Sequence, residues 1–194
     1  RSLGKSLEEL QSIFKTHNIQ KFRAKQLIDY IYHRYIFDFE EMTQFPKELR
    51  QWLSDNCVIS LPTLITESVS PDGKTRKILV EMTDQSRVEA VLMEQHYGYS
   101  VCVSSQVGCA MGCVFCASTQ GGLYRDLTVS EIIGQVVIFG ALTKEQIHSV
   151  VVMGAGEPLQ NYDNVLQALQ LLHDPVICNI SYRKMTISTC GWVP

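Results

Sequence analysis

A chain of 194 residues with 45% hydrophobic content is long enough to bury a real core, as one large or two small globular domains. A net charge of −3 argues against a surface generally coated with nucleic acid. No run approaches the roughly 18 consecutive apolar residues of a membrane span, so no membrane partner is expected, and no secretory leader is expected where the first apolar residues are dispersed among charges.

Residues 6–17 predict a helix, with Ser6 as cap, Glu9 three residues later, and Leu7, Leu10, Ile13 and Phe14 on one face. A second helix is expected from Ala24 to Tyr35, with Leu27, Ile28, Ile31 and Tyr32 on its stripe, and a third from Pro46 to Asn56. Together they predict a helical domain over residues 1–62. Its half of the chain is the more basic: residues 1–50 hold nine Lys/Arg against seven Asp/Glu, and residues 51–194 hold eight against thirteen. The excess gathers at Lys21, Arg23 and Lys25 beside Phe22, a pattern compatible with RNA contact and equally with a solvated helix face.

From residue 63 the character is β-rich. Strands are predicted at Thr63–Ser70, Thr75–Met82 and Val88–Met93, the first two joined by the turn Ser70-Pro71-Asp72-Gly73-Lys74. Residues 94–98 read as a loop, closing a connector over 63–98. From Tyr99 onward strand, loop and helix alternate: strand Tyr99–Val103, a cysteine-bearing loop, helix Thr128–Leu142, strand Ser149–Met153, helix Tyr162–His173 and strand Lys184–Ser188. Apolar strands alternating with amphipathic helices predict βαβ units and a parallel sheet. The fold class is therefore α/β: part of a (β/α) barrel over 99–194, behind a small helical domain and a β-rich connector. A complete barrel takes about 250 residues, and only three barrel strands are visible. With a start other than Met and an end at Pro194 just past a strand, the expectation is a piece of a longer protein.

Each chemically suggestive segment follows the carboxyl end of a strand, where such folds place their sites. The first is Gly108-Cys109-Ala110-Met111-Gly112-Cys113-Val114-Phe115-Cys116. Three of the chain's seven cysteines fall within eight residues, a metal or redox pattern more than a disulfide framework. It points to a reducing compartment, with the cytoplasm as default. The spacing C-x3-C-x2-C suits an iron–sulfur cubane with one iron free of protein ligand. A closed zinc site would want a fourth ligand close by, and neither His96 nor His148 has that spacing. The same separations also fit one helix face, but interior glycines at 108 and 112 disfavour a helix there, each by about 1 kcal/mol.

An open iron can be chelated by the amine and carboxylate of an amino acid, and S-adenosylmethionine is such a ligand. Gly154-Ala155-Gly156-Glu157-Pro158 could hold it, its small residues permitting close approach and Glu157 accepting from the ligand amine. The plain alternative is a tight βα turn with an exposed glutamate. Ser188 is either a hydroxyl partner of the same ligand or an ordinary strand-end serine. On residue type alone Cys102 reads as a core cysteine and Glu89 as a solvent-facing strand residue.

The segments Cys102-Val103-Ser104-Ser105-Gln106-Val107-Gly108-Cys109, Cys113, Cys116, Val129-Ser130-Glu131-Ile132 and Met153-Gly154-Ala155-Gly156-Glu157-Pro158 resemble the RlmN/Cfr family of radical S-adenosylmethionine RNA methyltransferases. The likeness extends to Phe22-Arg23-Ala24 and Glu41-Met42-Thr43 in the helical head. It implies a [4Fe–4S] cluster on Cys109, Cys113 and Cys116, and S-adenosylmethionine against Gly156, Glu157 and Ser188. It implies Cys102 as the thiol that resolves a covalent protein–RNA intermediate, Glu89 as proton acceptor, and an external electron donor such as flavodoxin. The expected reaction is C2 methylation of an adenosine in large-subunit ribosomal RNA and in some tRNAs, by way of a methyl-cysteine. The adenosine must leave its stack to reach that chemistry. The methyl-carrying cysteine of the family lies near the far C-terminus and nothing in residues 1–194 matches it, so the piece alone is expected not to complete turnover. Two departures stand out: Cys190 replaces a residue usually serine in the family, and Ala155 a common methionine. Alternatives are a C8-methylating relative, another radical enzyme of this superfamily, or a non-enzymatic iron–sulfur or zinc protein that binds RNA.

Overall fold

The Ser6 hydroxyl accepts from the Glu9 amide and the Glu9 carboxylate accepts from the Ser6 amide. This reciprocal capping box contributes about 1 kcal/mol to the first helix. The computed structural model, which describes residues 3–192, places α1 at Leu7–Thr16, α2 at Phe22–Ile28 and α3 at Lys47–Asn56. Beyond Ile28, α2 continues as one π turn over Asp29–His33, closed by a hydrogen bond from the Arg34 amide to the Asp29 carbonyl and by their ion pair at 2.6 Å. Leu10, Phe14, Leu27, Ile31 and Leu53 meet in the head's core, each nearly sealed from water.

The strands are β1 Thr63–Val69, β2 Thr75–Glu81, β3 Arg87–Gln95, β4 Gly98–Val103, β5 Gln106–Gly108, β6 Leu123–Asp126, β7 Ile147–Val152 and β8 Met185–Ile187. The helices α4 Val129–Thr143 and α5 Tyr162–His173 alternate with the last of them. Six strands form one sheet in the order β1-β2-β3-β4-β7-β8. The pairings from β1 to β4 are antiparallel; β4–β7 and β7–β8 are parallel. The three strands before residue 98 are thus hydrogen-bonded in line with the three parallel strands of the partial barrel.

Two local predictions are corrected. Residues 94–98 are not an open loop: Glu94 pairs with Tyr99 and Gln95 with Gly98, leaving His96 and Tyr97 as a two-residue turn. Gly98 makes this possible, because its φ is +115° and a Cβ there would strike the His148 ring. The cysteine loop is likewise not wholly irregular. Its two ends pair as a small antiparallel hairpin of β5 and β6.

The α4 helix begins on a second capping box, Thr128 with Glu131. From Ser130 to Gly140 every residue is buried, because the sheet covers one side and α5, with Leu3, Tyr35 and Pro62 of the head, covers the other. That double cover explains a helix apolar nearly all round. Its glycines admit neighbours: a Cβ on Gly134 would meet Pro62 at 2.5 Å, and one on Gly140 would overlap the Tyr35 ring. Beneath α4, Val101, Val103, Val150 and Val152 are 0–1% exposed, each contributing about 1.5–3 kcal/mol of burial. The opposite, concave face carries the paired row Val91, Cys102 and Val151, all half-buried.

Arg125 on β6 fastens the cysteine hairpin to its surroundings. Its guanidinium donates to both oxygens of Asp84 at 2.6 and 2.9 Å, to both oxygens of Glu131 at 2.9 Å, and to the Ser86 hydroxyl. The hydrogen bonds from Arg125 and Ser86 hold the Asp84 carboxyl well below the usual carboxylate range. At Glu131 burial works to raise the pKa, and Arg125 with Thr128 outweighs it, so the net shift is downward. Folded pKa values below the unfolded ones mean stability that is complete above about pH 4–4.5 and lost as pH falls through the folded values. Arg125→Ala is therefore expected to lower the urea midpoint at pH 7 and to flatten its decline toward pH 3. A variant whose acid limb parallels the unsubstituted chain would contradict this account.

Candidate active site

Two cavities open side by side on the concave face at the carboxyl ends of β4, β7 and β8. One, of about 250 Å³, is lined by Cys109, Cys113, Cys116, Gly156, Glu157 and Ser188, with Met111 and Cys190 among its other walls. The second, of about 420 Å³, is lined by Glu89, Cys102, Ser104 and Gly108 among others. Cys116, Met153 and Gly154 border both. All eight residues singled out in the sequence thus line one or other of two adjoining cavities.

The cysteine loop is shaped by glycine. Gly108 has φ +75° and Gly112 +70°, and a Cβ on Gly108 would overlap the Gly122 carbonyl, so β5 and β6 close only around a glycine. The Cys109 amide donates to Gly122 O at 3.1 Å, and Thr119 Oγ1 bridges Gly112 N and Cys109 O. Cys109 is buried, Cys113 and Cys116 are half-buried, and none of the three is in a disulfide. Among the described residues no three His, Cys, Asp or Glu side chains stand as ligands of a single metal ion. Three thiolates of a cubane bind separate irons, so an open set of thiols around one cavity fits that group better than a single-ion site.

Gly154 and Gly156 owe their identity to the protein rather than to open space for a ligand. A Cβ on Gly154 would lie 2.6 Å from Ser104 Oγ, and one on Gly156, whose φ is +106°, would lie 2.6 Å from Gln106 Cβ. The β7 loop is pressed against residues 103–106, with Ser105 N and Gln106 N both donating to Ala155 O. Nor is Glu157 the exposed glutamate of a plain turn: it is 3% exposed. Its carboxylate accepts from Thr189 Oγ1 at 2.6 Å, Cys190 N at 2.9 Å and Leu159 N at 3.0 Å. Burial acts to raise its pKa, and these donors more than reverse it, holding the group ionised. Glu157 therefore joins the loop after β7 to the loop after β8, where Ser188 stands exposed on the cavity wall with its amide bonded to Val152 O.

In the second cavity Cys102 is half-buried on the concave face, not in the hydrophobic core. Burial pushes its thiol up, with a partial offset from the Met153 backbone. Glu89 is exposed, as its strand position suggests, and its carboxylate pairs with Lys77 at 3.0 Å. Two positions along β3 from Glu89, Val91 stands opposite Cys102.

Three buried amides that sequence reasoning missed hold this arrangement. Gln106 Oε1 accepts from Glu157 N while its Nε2 donates to Asp126. Gln135 brackets Ser104, accepting from its N–H and donating to its C=O. Asn161 Nδ2 donates to the carbonyls of Ser105 and Leu127. Each satisfies backbone groups that would otherwise be buried without partners, at about 1–3 kcal/mol apiece.

Comparison with known proteins accounts for both halves of the chain. Residues 3–59 match the family model described as ribosomal RNA large subunit methyltransferase N-terminal domain, and residues 103–194 match the radical SAM superfamily. A probable dual-specificity RNA methyltransferase RlmN of Symbiobacterium thermophilum is 48% identical over 193 residues, covering 98% of this chain and 52% of that protein. One from Clostridium perfringens (strain 13 / Type A) is 47% identical over 189 residues, covering 97% and 54%. The crystal structure of a radical SAM methyltransferase from Sphaerobacter thermophilus superposes with a TM-score of 0.92 at 36% identity, over 98% of this chain and 57% of that one. The chain spans about half the length of the curated relatives it matches. It belongs to the RlmN/Cfr family of radical S-adenosylmethionine RNA methyltransferases, whose amino-terminal half it matches.

Proposed function

We propose that the whole protein methylates C2 of an adenosine in ribosomal RNA and in tRNA, and that residues 1–194 supply its radical-generating half. The observation that carries this reading is the pair of adjoining cavities, one walled by the three cysteines and the other by Glu89 and Cys102. The donor set fits a [4Fe–4S] cluster: three free thiols on a glycine-shaped loop, with no fourth protein ligand in the loop itself. Cys109, Cys113 and Cys116 would hold the cluster, and Gly156, Glu157 and Ser188 would line the place of S-adenosylmethionine. The chemistry supplied by these bound groups is reductive cleavage of a carbon–sulfur bond to give a carbon-centred radical.

The chain's own residues then have separable tasks. Glu157 holds the loops after β7 and β8 at a fixed separation, so the cavity is shaped before any ligand enters. Glu89, exposed on the concave face and paired with Lys77, accepts the proton leaving the adenine ring carbon. Cys102 ends the reaction: its thiolate forms a disulfide with the methyl-carrying cysteine as that sulfur's bond to the RNA-borne carbon breaks, and the released carbon takes up a proton to become the methyl group. Its thiol, raised by burial, must lose a proton first, which makes that step favoured by base. An electron donor such as flavodoxin and the RNA itself are external partners in this reading. Among the described residues no helix is long and apolar enough to cross a membrane, and a cytoplasmic site of action is proposed with the RNA substrate.

The test is nucleoside analysis of ribosomal RNA incubated anaerobically with the full-length protein, reductant and S-adenosylmethionine. The expected product is 2-methyladenosine accompanied by 5′-deoxyadenosine, and Cys102→Ala is expected to retain RNA covalently instead of releasing it. Formation of 8-methyladenosine alone, or of neither nucleoside, would overturn the C2 assignment.

A further inference from the structure

Four cysteines, not three, face the cluster cavity. Cys190, on the loop after β8, lines it together with Cys109, Cys113 and Cys116, and its Sγ lies 3.2 Å from Sδ of Met111, between the first two loop cysteines. The position is held by the fold. The Cys190 amide donates to Glu157 Oε2, Thr189 Oγ1 donates to Glu157 Oε1, and the Gly191 amide donates back to Thr189 Oγ1. A buried carboxylate thus anchors the turn that presents this thiol. Cys57, Cys102 and Cys178 do not line the cavity.

We propose that Cys190 ligates the fourth iron of the resting cluster and is displaced when S-adenosylmethionine binds, an inference that rests on the cluster reading above. A soft thiolate is the ligand that iron–sulfur clusters select, and the three loop cysteines leave one iron without one. Ligation replaces the Sγ–H bond by an Sγ–Fe bond and releases the proton to the medium. Arrival of the chelating amine and carboxylate breaks the Sγ–Fe bond, and the thiolate takes up a proton. No electron is transferred in either direction. The thiol stands on the loop after β8 with Ser188, tied to Glu157 of the loop after β7, and these residues line the cofactor's place, so cofactor and Cys190 would compete for the same iron. A resting state capped in this way lowers the apparent affinity for the cofactor in proportion to its population.

The discriminating property is the hold on the fourth iron. The protein and its Cys190→Ser variant would be reconstituted anaerobically with iron and sulfide, then oxidised with ferricyanide without S-adenosylmethionine. Serine keeps the backbone bond to Glu157, so the turn is preserved. The unsubstituted protein is expected to keep all four irons, and the variant to lose one and show the electron paramagnetic resonance of a three-iron cluster. Iodoacetamide should fail to label Cys190 in the reconstituted protein and should label it once S-adenosylmethionine is added. Equal iron loss in both proteins, or labelling indifferent to the cofactor, overturns Cys190 ligation and leaves the cluster reading standing. A protein that takes up no iron–sulfur cluster overturns both.

Discussion

Cys113→Ala is expected to abolish iron–sulfur absorption after anaerobic reconstitution while leaving the fold intact. Cys113 sits half-buried in an irregular stretch between β5 and β6 and contributes nothing to the hydrophobic core. Away from the core, a substitution changes stability by about 0.5 kcal/mol or less. The ligand itself is another matter. Loss of a partner that merely orients a metal ligand weakens binding by about 10–100-fold, and removal of a ligand costs at least as much. Iron per chain after desalting should therefore fall to background, with unchanged far-ultraviolet dichroism and an unchanged urea midpoint. Full iron retention in the variant would show that the three-cysteine loop is not the cluster site.

Gly156→Ala is expected to act through the protein before it acts through any ligand. The added methyl would lie 2.6 Å from Gln106 Cβ, 2.7 Å from Ser105 Oγ and 2.8 Å from Gln106 N, at a residue with φ +106°. Close packing on a backbone neighbour and a left-handed conformation together should destabilise the chain by about 2–4 kcal/mol. Gly73→Ala isolates the conformational part. Gly73 has φ +74° and no atom within 4 Å of where a Cβ would stand, so only about 1–2 kcal/mol is expected there. Urea titration of the two variants measures the difference directly. Equal losses would mean that the loop after β7 is free to move away from residues 103–106, and that its glycines serve the ligand alone.

The parts of the fold that were legible carry periodic or paired signals. The capping pairs Ser6/Glu9 and Thr128/Glu131 announce two helices, and both close as boxes in the structure. The β-rich run Val88–Met93 marks a strand, and β3 covers it, with the alternating burial of its residues seen only in the fold. The small hairpin of β5 and β6 was not legible, because strands of three and four residues show no period and Gly108 breaks what pattern there is. The site was readable as a set of residue types: spacing found the cysteines, and the likeness to a family supplied roles for Glu89 and Cys102. What could not be read is the framework behind it. Gln135 and Asn161 are isolated amides in segments with no motif of their own, Gln106 lies within the family-like Cys102–Cys109 run with no role assigned to it, and only the approach of distant loops gives each its partners. The same holds for Glu157, whose carboxylate looks available in the sequence and is occupied by Thr189, Cys190 and Leu159 in the fold.

The central claim is that one cavity holds both a cluster and the cofactor it cleaves, and its most direct measurement is the response of the reconstituted protein to S-adenosylmethionine. The reduced cluster's electron paramagnetic resonance signal should change on addition of the cofactor, because Glu157 and Ser188, which line the same cavity as the three cysteines, would hold the cofactor's amine and carboxylate beside the cluster. A protein that instead takes up stoichiometric zinc, or whose cluster signal is indifferent to the cofactor, would contradict the account.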